Sequence, residues 1–272
     1  MSITRTSKNG LSILSFKTPL VETSLTLHGA HLLSWKPKDQ DEVLYLSETA
    51  IFDKSKAIRG GVPVCWPWFG PVRSPSHGYA RISEWNEDVA EILSDGSVHV
   101  KLSLSINDPE MKAIAEFNMN DKTLHQTLKT INGPKAYDMT AALHTYYSIG
   151  DIEKIHITGL ENVPFSEKSA KPLPHSENPL RIFGEVDREY YPTTAPIELH
   201  DEVKNRTIRV EREGSNCSVV WNIWERASGF NDMPDNDYRK YVCIEAANTS
   251  GDIIHLGPNE EHVLGAKTTI VK

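Results

Sequence analysis

Glu245 is the carboxylate most in need of an explanation. It sits in Tyr241-Val-Cys-Ile-Glu-Ala-Ala-Asn248, an otherwise apolar run. A charge inside a buried strand is costly unless it is paired or hydrogen-bonded. Either Glu245 serves proton chemistry, or it is a buried ion pair with an arginine such as Arg226 or Arg239. His144 lies in Ala141-Ala-Leu-His-Thr-Tyr-Tyr-Ser-Ile-Gly150. On a strand, Leu143, Thr145 and Tyr147 share one face and His144 and Tyr146 the other. His144 then points to solvent or into a cleft, where an imidazole of pKa about 6.5 can donate a proton near neutrality. A hydrogen-bonded histidine on a sheet surface is the alternative.

Two further patches carry cations. Arg59 opens Arg59-Gly-Gly-Val-Pro-Val-Cys-Trp-Pro-Trp-Phe-Gly70, whose glycines and prolines fix an irregular backbone. Trp66, Trp68 and Phe69 either form an aromatic wall against sugar C–H surfaces or belong to a core-covering loop. Arg59 would offer its fork of donors to an anion, or else stand in a structural ion pair. Ser76-His77-Gly78-Tyr79-Ala80-Arg81 adds His77 and a second arginine. If Arg59 and Arg81 converge, they could hold a phosphate that a chain of net charge −8 otherwise repels. Asp187, in Gly184-Glu-Val-Asp-Arg188, is a possible acceptor for ligand hydroxyls, or one charge of a solvated run. His28 and His31 lack a third ligand nearby, so no metal and no cofactor is expected.

The elements that must position these residues are strands. From Ser97 to Ile106, Val98, Val100, Leu102, Leu104 and Ile106 alternate with polar residues, the period of a half-buried strand. Shorter runs recur at Val21–Leu27, Thr123–Ile131, Ile152–Ile157, Thr207–Glu211, Val219–Trp224 and Val263–Val271, with turn signals such as Asn132-Gly133-Pro134 between them. No long amphipathic helices intervene. The expectation is an all-β fold, a sandwich or barrel of antiparallel sheets, in one domain over residues 1–272. Residues 164–180, with four prolines, read as a surface loop.

Composition removes several classes. The acidic balance and the lack of a basic stripe argue against nucleic acid. No stretch approaches the ~20 apolar residues of a membrane span, and Met1 to Leu20 lacks an apolar leader segment. Cys65, Cys217 and Cys243 read as reduced thiols, which suggests a cytoplasmic protein. Phosphate-loop, dinucleotide, serine-elbow and zinc-helix signatures are all missing. Without heptads or an apolar docking segment, a monomer is expected.

Taken together, Arg59-Gly-Gly-Val-Pro-Val-Cys-Trp-Pro-Trp-Phe-Gly, His77-Gly-Tyr-Ala-Arg81, Leu143-His-Thr-Tyr-Tyr, Gly184-Glu-Val-Asp-Arg and Val242-Cys-Ile-Glu-Ala-Ala-Asn resemble the D-hexose-6-phosphate mutarotases, also called glucose-6-phosphate 1-epimerases. His28-Gly-Ala-His-Leu-Leu-Ser-Trp35 and Val220-Trp-Asn-Ile-Trp224 fit the same pattern, in order, across most of the chain. These enzymes are relatives of the aldose 1-epimerases. The resemblance implies a galactose-mutarotase-like β-supersandwich that interconverts the α and β anomers of a hexose 6-phosphate. It further implies Glu245 as general base at the C1 hydroxyl and His144 as general acid at the ring oxygen, on opposite sides of the hemiacetal. Asp187 and His77 would hold the sugar, and Arg59 and Arg81 the phosphate. Ser76 departs from the family's frequent glutamine, which puts one ligand hydrogen bond in doubt. The competing readings are an aldose 1-epimerase of free sugars and a non-catalytic sugar-phosphate-binding protein.

Overall fold

The computed structural model describes residues 1–170 and 176–271. Its regular structure is antiparallel strand with short 3₁₀ turns, so the all-β expectation is borne out. A ten-stranded sheet begins at the short pair Ser176–Glu177 and Leu180–Arg181. It continues through Ile155–Thr158, Ile197–Asp201, Arg206–Glu213, Glu261–Ile270, Thr123–Asn132, Glu110–Met119 and Val98–Asn107, and ends at Asn86–Ile92. The alternation read in the sequence holds in its middle: Val98, Val100, Leu102 and Leu104 are buried, while His99 and Lys101 between them stay part-exposed.

A seven-stranded sheet faces it. Its order is Phe165–Glu167, Val186–Tyr190, Cys217–Asn222, Tyr241–Asn248, Ala141–Leu143 and Val64–Cys65, with Tyr146–Ser148 also pairing along Tyr241–Asn248. The hydroxyl of Tyr147 bonds Thr268 at 2.7 Å, and Trp66 Nε1 donates to Thr130 Oγ1 at 2.9 Å, so polar pins join the two sheets inside an apolar layer. Four strands, Ser2–Lys8, Leu11–Lys17, Val21–Thr26 and His31–Pro37, form a further sheet, and Tyr137–Met139 pairs with Ile254–Leu256.

Several boundaries differ from the periodicity reading. The run Ile152–Ile157 opens as a 3₁₀ turn, Ile152–Lys154, because the Asp151 carboxylate accepts the Glu153 N–H. The strand expected to reach Trp224 stops at Asn222, whose side-chain oxygen accepts the Trp224 N–H at 2.8 Å and starts the 3₁₀ turn Trp224–Gly229. The stretch 164–180 is only partly loop, and its residues 171–175 lie outside the described ones. Phe165–Glu167 pairs with Val186–Tyr190, fixed by the Glu167 carboxylate, which accepts from Arg188 Nε at 2.6 Å and from the Asp187 N–H at 3.3 Å.

The segment from Arg59 to Arg81 is irregular but anchored. Gly78 has φ +76°, and a Cβ there would lie 2.1 Å from the Trp66 carbonyl oxygen. Only glycine fits at this point, where the Tyr79 and Ala80 N–H groups also donate to that carbonyl. Gly29 likewise lies against the backbone of Arg81, with a virtual Cβ 3.0 Å from its carbonyl oxygen. Gly78→Ala is expected to destabilise the protein by about 2 kcal/mol or more. Urea unfolding of the two proteins, followed by tryptophan fluorescence, measures the difference.

Candidate active site

The outer face of the seven-stranded sheet gathers the expected residues. On Tyr241–Asn248, strand alternation puts Val242, Ile244 and Ala246 on one face and Cys243 and Glu245 on the other. Leu143 stands opposite Ala246, and Tyr146 opposite Cys243. Register is therefore kept across the break at residues 144 and 145, and His144 falls opposite Glu245. The break itself is a kink: the His144 N–H donates to the Pro63 carbonyl at 3.0 Å, and the Thr145 N–H to that of Leu143 at 3.0 Å. His144 Nε2 lies 3.4 Å from Glu245 Oε1, with side-chain exposures of 13% and 1%. Among the described residues, Glu245 Oε2 and His144 Nδ1 have no hydrogen-bond partner.

The ion-pair alternative through Arg226 or Arg239 does not hold. Arg226 pairs with Glu185, and Arg239 with Asp151 and Glu153. His144 and Glu245 are adjacent cross-strand neighbours.

The two residues open onto a cavity of about 240 Å³ that also takes in Arg59, His77, Arg81 and Asp187. All six candidate residues are thus brought together. Asp187 arrives from Val186–Tyr190, directly across from Trp221. The His77 ring is oriented by the Gly70 N–H, which donates to Nδ1 at 3.3 Å. A neutral His77 therefore carries its proton on Nε2. Arg81 Nη2 donates to the Ser76 carbonyl at 2.8 Å, while its buried Nε has no partner. Ser76 is exposed; its contribution is the backbone carbonyl, which a glutamine would supply equally. Arg59 meets both of its sequence readings, lining the cavity while its Nε lies 3.3 Å from Asp232.

The structure divides the two readings of the aromatic residues. Trp66 is fully buried, and Trp68 is buried with Nε1 bonded to the Pro75 carbonyl. Of the three, only Phe69 lines the cavity, joined by Tyr146 and Trp221 from the sheet. Lys168 and Glu189, an ion pair in the wall, were missed. The period-two spacing of Asp187 and Glu189 was a usable signal for the second; Lys168 was hidden in a stretch read as loop. The rings of His28 and His31 bond the carbonyls of Lys56 and Gly60 at 3.0 and 2.7 Å, a structural use. Among the described residues, no group of three or more His, Cys, Asp or Glu could hold a metal ion, and no helix is long and apolar enough to cross a membrane.

Burial dominates the electrostatics. It raises Glu245 well above the usual carboxylate range, and Asp187 and Glu189 push the same way against Lys168. Burial also pulls His144 well below the usual imidazole range, aided by His77, Arg81 and Arg59. Both shifts favour the neutral forms, the carboxylic acid and the uncharged imidazole. His77 is pulled down to about 4 by burial and by Arg81 and Arg59. Asp187 is pushed up to about 6, first by burial, with Lys168 opposing and the neighbouring glutamates adding.

Known proteins resemble this chain in sequence and in fold. The family model described as aldose 1-epimerase matches residues 12–268. A protein of Escherichia coli K12, provisionally named glucose-6-phosphate 1-epimerase, is 34% identical over 261 residues, covering 91% of this chain and 87% of its own. The crystal structure of a Salmonella typhimurium protein provisionally described as a mutarotase, YeaD, superposes with a TM-score of 0.90 at 31% identity, over 99% of this chain and 94% of that one. A galactose mutarotase-like protein of Clostridium acetobutylicum, at 14% identity, shares the fold alone, with a TM-score of 0.73 over 99% of this chain and 98% of that one. The fold is the galactose-mutarotase-like β-supersandwich.

The raised Glu245 carboxyl has a consequence for stability. Above pH 4.5, its ordinary value, the unfolded chain ionises this group while the folded chain keeps the proton. Folding is therefore penalised increasingly as pH rises from there toward the folded pKa. Glu245→Gln removes the penalty. Its stability advantage is expected to be small near pH 4.5 and to grow upward, approaching about 1.4 kcal/mol per pH unit. Urea titrations at pH 4.5, 6 and 8 test this; an advantage that shrinks with pH would contradict the neutral carboxyl.

Proposed function

The chain belongs to the aldose 1-epimerase family, and on that premise we propose that it is a hexose-6-phosphate mutarotase, interconverting the α and β anomers of glucose 6-phosphate. The observation that carries the reading is the His144–Glu245 pair, 3.4 Å apart, in a cavity that also holds Arg59 and Arg81. The pair fits a hemiacetal, and the two arginines fit a phosphate.

Ring opening needs one proton removed from the C1 hydroxyl and one delivered to the ring oxygen. The pair holds a single proton for this. With that proton on His144, Glu245 takes the hydroxyl proton as the C1–O5 bond breaks, and His144 protonates O5. The aldehyde forms, and the pair is left as carboxylic acid and neutral imidazole, the state that burial favours. After rotation about C1–C2, the O5 hydroxyl adds to the other face of the aldehyde. His144 recovers its proton from O5, and Glu245 returns one to the carbonyl oxygen. No net charge enters or leaves the buried site. Asp187 accepts hydrogen bonds from sugar hydroxyls, and neutral His77 donates one through Nε2. Phe69 and Trp221 cover apolar sugar faces. Arg59 and Arg81 select the phosphorylated sugar over the free one.

The direct test is NMR exchange between the anomeric C1 protons of glucose 6-phosphate, with free glucose and galactose in parallel. Faster exchange of the phosphate ester is expected; acceleration of the free sugars alone would redirect the reading to an aldose epimerase. Glu245→Gln should lower the rate by about 10²–10⁴-fold while ligand still binds. Arg81→Ala should raise KM for the phosphate ester and leave binding of free sugar unchanged.

Asp187 predicts a pH dependence. Its pKa is held near 6, so as pH falls below that value it protonates and loses acceptor capacity, and KM rises. Substrate phosphate titrates near ~6 as well, so the comparison is with Asp187→Asn. That variant should have a raised KM at pH 7.5 and a flatter profile between pH 7.5 and 5. An unchanged profile would remove Asp187 from sugar binding.

A further inference from the structure

Arg59 is gripped on three sides. Both carboxylate oxygens of Asp232 lie 3.3 Å from Nε, and Nη1 donates to the Tyr146 hydroxyl at 3.2 Å. The Phe230 ring lies under the guanidinium, 4.7 Å from centroid to Cζ. Arginine has five N–H donors in a fixed plane. With Nε and one Nη1 hydrogen engaged and one face covered, the end-on pair of terminal nitrogens is what remains for the cavity. That edge matches two oxygens of a phosphate. The Nε contacts are longer than the ~2.7–2.9 Å of strong charge-assisted bonds, and the pair is partly open, at 22% and 15% side-chain exposure. Its main effect is therefore orientation.

We infer that Asp232, backed by Phe230, is a positioning residue that aims Arg59 at the phosphate and so sets the preference for phosphorylated over free sugars. Neither residue lines the cavity among the described residues; both act through Arg59. They follow the 3₁₀ turn Trp224–Gly229, whose start is fixed by the Asn222 side chain. The inference rests on the proposed phosphate-ester substrate.

The test is calorimetric titration of the wild type, Asp232→Ala and Asp232→Asn with inorganic phosphate, glucose 6-phosphate and free glucose, alongside anomeric exchange rates. Asp232→Ala should weaken phosphate and glucose 6-phosphate about tenfold, leave free glucose unchanged, and place the kinetic loss in KM rather than kcat. Asp232→Asn keeps an acceptor for Nε and removes one negative charge, so it should bind phosphate at least as well as the wild type. Phe230→Leu should give a smaller loss of the same kind. Phosphate affinity unchanged or raised in Asp232→Ala, or Asp232→Asn no better than Asp232→Ala, overturns the inference while an active wild type keeps the mutarotase reading. A wild type that neither binds phosphate nor speeds exchange of the ester overturns both.

Discussion

A carboxyl group buried on a central strand governs this structure. Every residue of Tyr241–Asn248 is buried, and Glu245 is the only ionisable carboxyl among them. Among the described residues no arginine or lysine bonds it, and one of its oxygens has no hydrogen-bond partner. An ionised carboxylate here is disfavoured by burial, which also pulls down the imidazole next to it. That arrangement depends on register. A slip of one residue between the Ala141–Ser148 segment and Tyr241–Asn248 would send His144 to the opposite face from Glu245. The two flanking ladders, Leu143 with Ala246 and Tyr146 with Cys243, hold the pairing from both sides of the kink. The apolar packing of the two large sheets therefore contributes to proton chemistry through alignment.

Charge around the pair is graded. Asp187, Glu189 and Lys168 lie on the Val186–Tyr190 side, and Arg59, Arg81 and His77 on the other lining segments. Burial raises Glu245, with Asp187 and Glu189 adding to it against Lys168, and burial lowers His144, with His77, Arg81 and Arg59 adding to it. Each group is moved away from its charged form by burial and by the neighbours it has, and together they form a one-proton couple. A reaction that needs one proton in and one proton out suits such a couple, because the two chemical half-reactions are its two tautomers. A phosphate between the arginines would offset part of the cationic influence on His144, which raises imidazole basicity when the substrate is in place.

Much of this was legible in the sequence, and the exceptions have physical causes. Long alternating runs such as Val98–Ile106 declare themselves because one face is in the core and the other in water. Glu245 stood out because it breaks the pattern of its own strand. Asp187 and His144 needed the resemblance, since a polar residue on a strand reads the same whether its face meets solvent or a cleft. Trp66 and Trp68 stayed ambiguous for the converse reason: aromatic residues in a Pro- and Gly-rich segment look like a ligand wall, but Trp66 is consumed by the pin to Thr130. Lys168 was invisible because Phe165–Glu167 is a three-residue strand, too short for a period to register. Asp232 belongs to no strand, and only three-dimensional proximity links it to Arg59, 173 residues away in the chain.

The same asymmetry explains why binding specificity and chemistry are built from different material. Glu245 sits on a strand of the sheet and His144 in a short break between two strands, where the hydrogen-bonded ladders on either side fix positions closely. The cations and their counter-ion come from loops: Arg81 from a 3₁₀ turn wedged against Gly29, Arg59 from the approach to Val64–Cys65, and its partner Asp232 from the chain beyond Trp224–Gly229. Loops accept substitution more readily than a register-locked pair. A protein with this fold can therefore change the sugar end-group it selects by altering loop cations and their counter-ions, while the carboxyl and imidazole stay where the two strands put them.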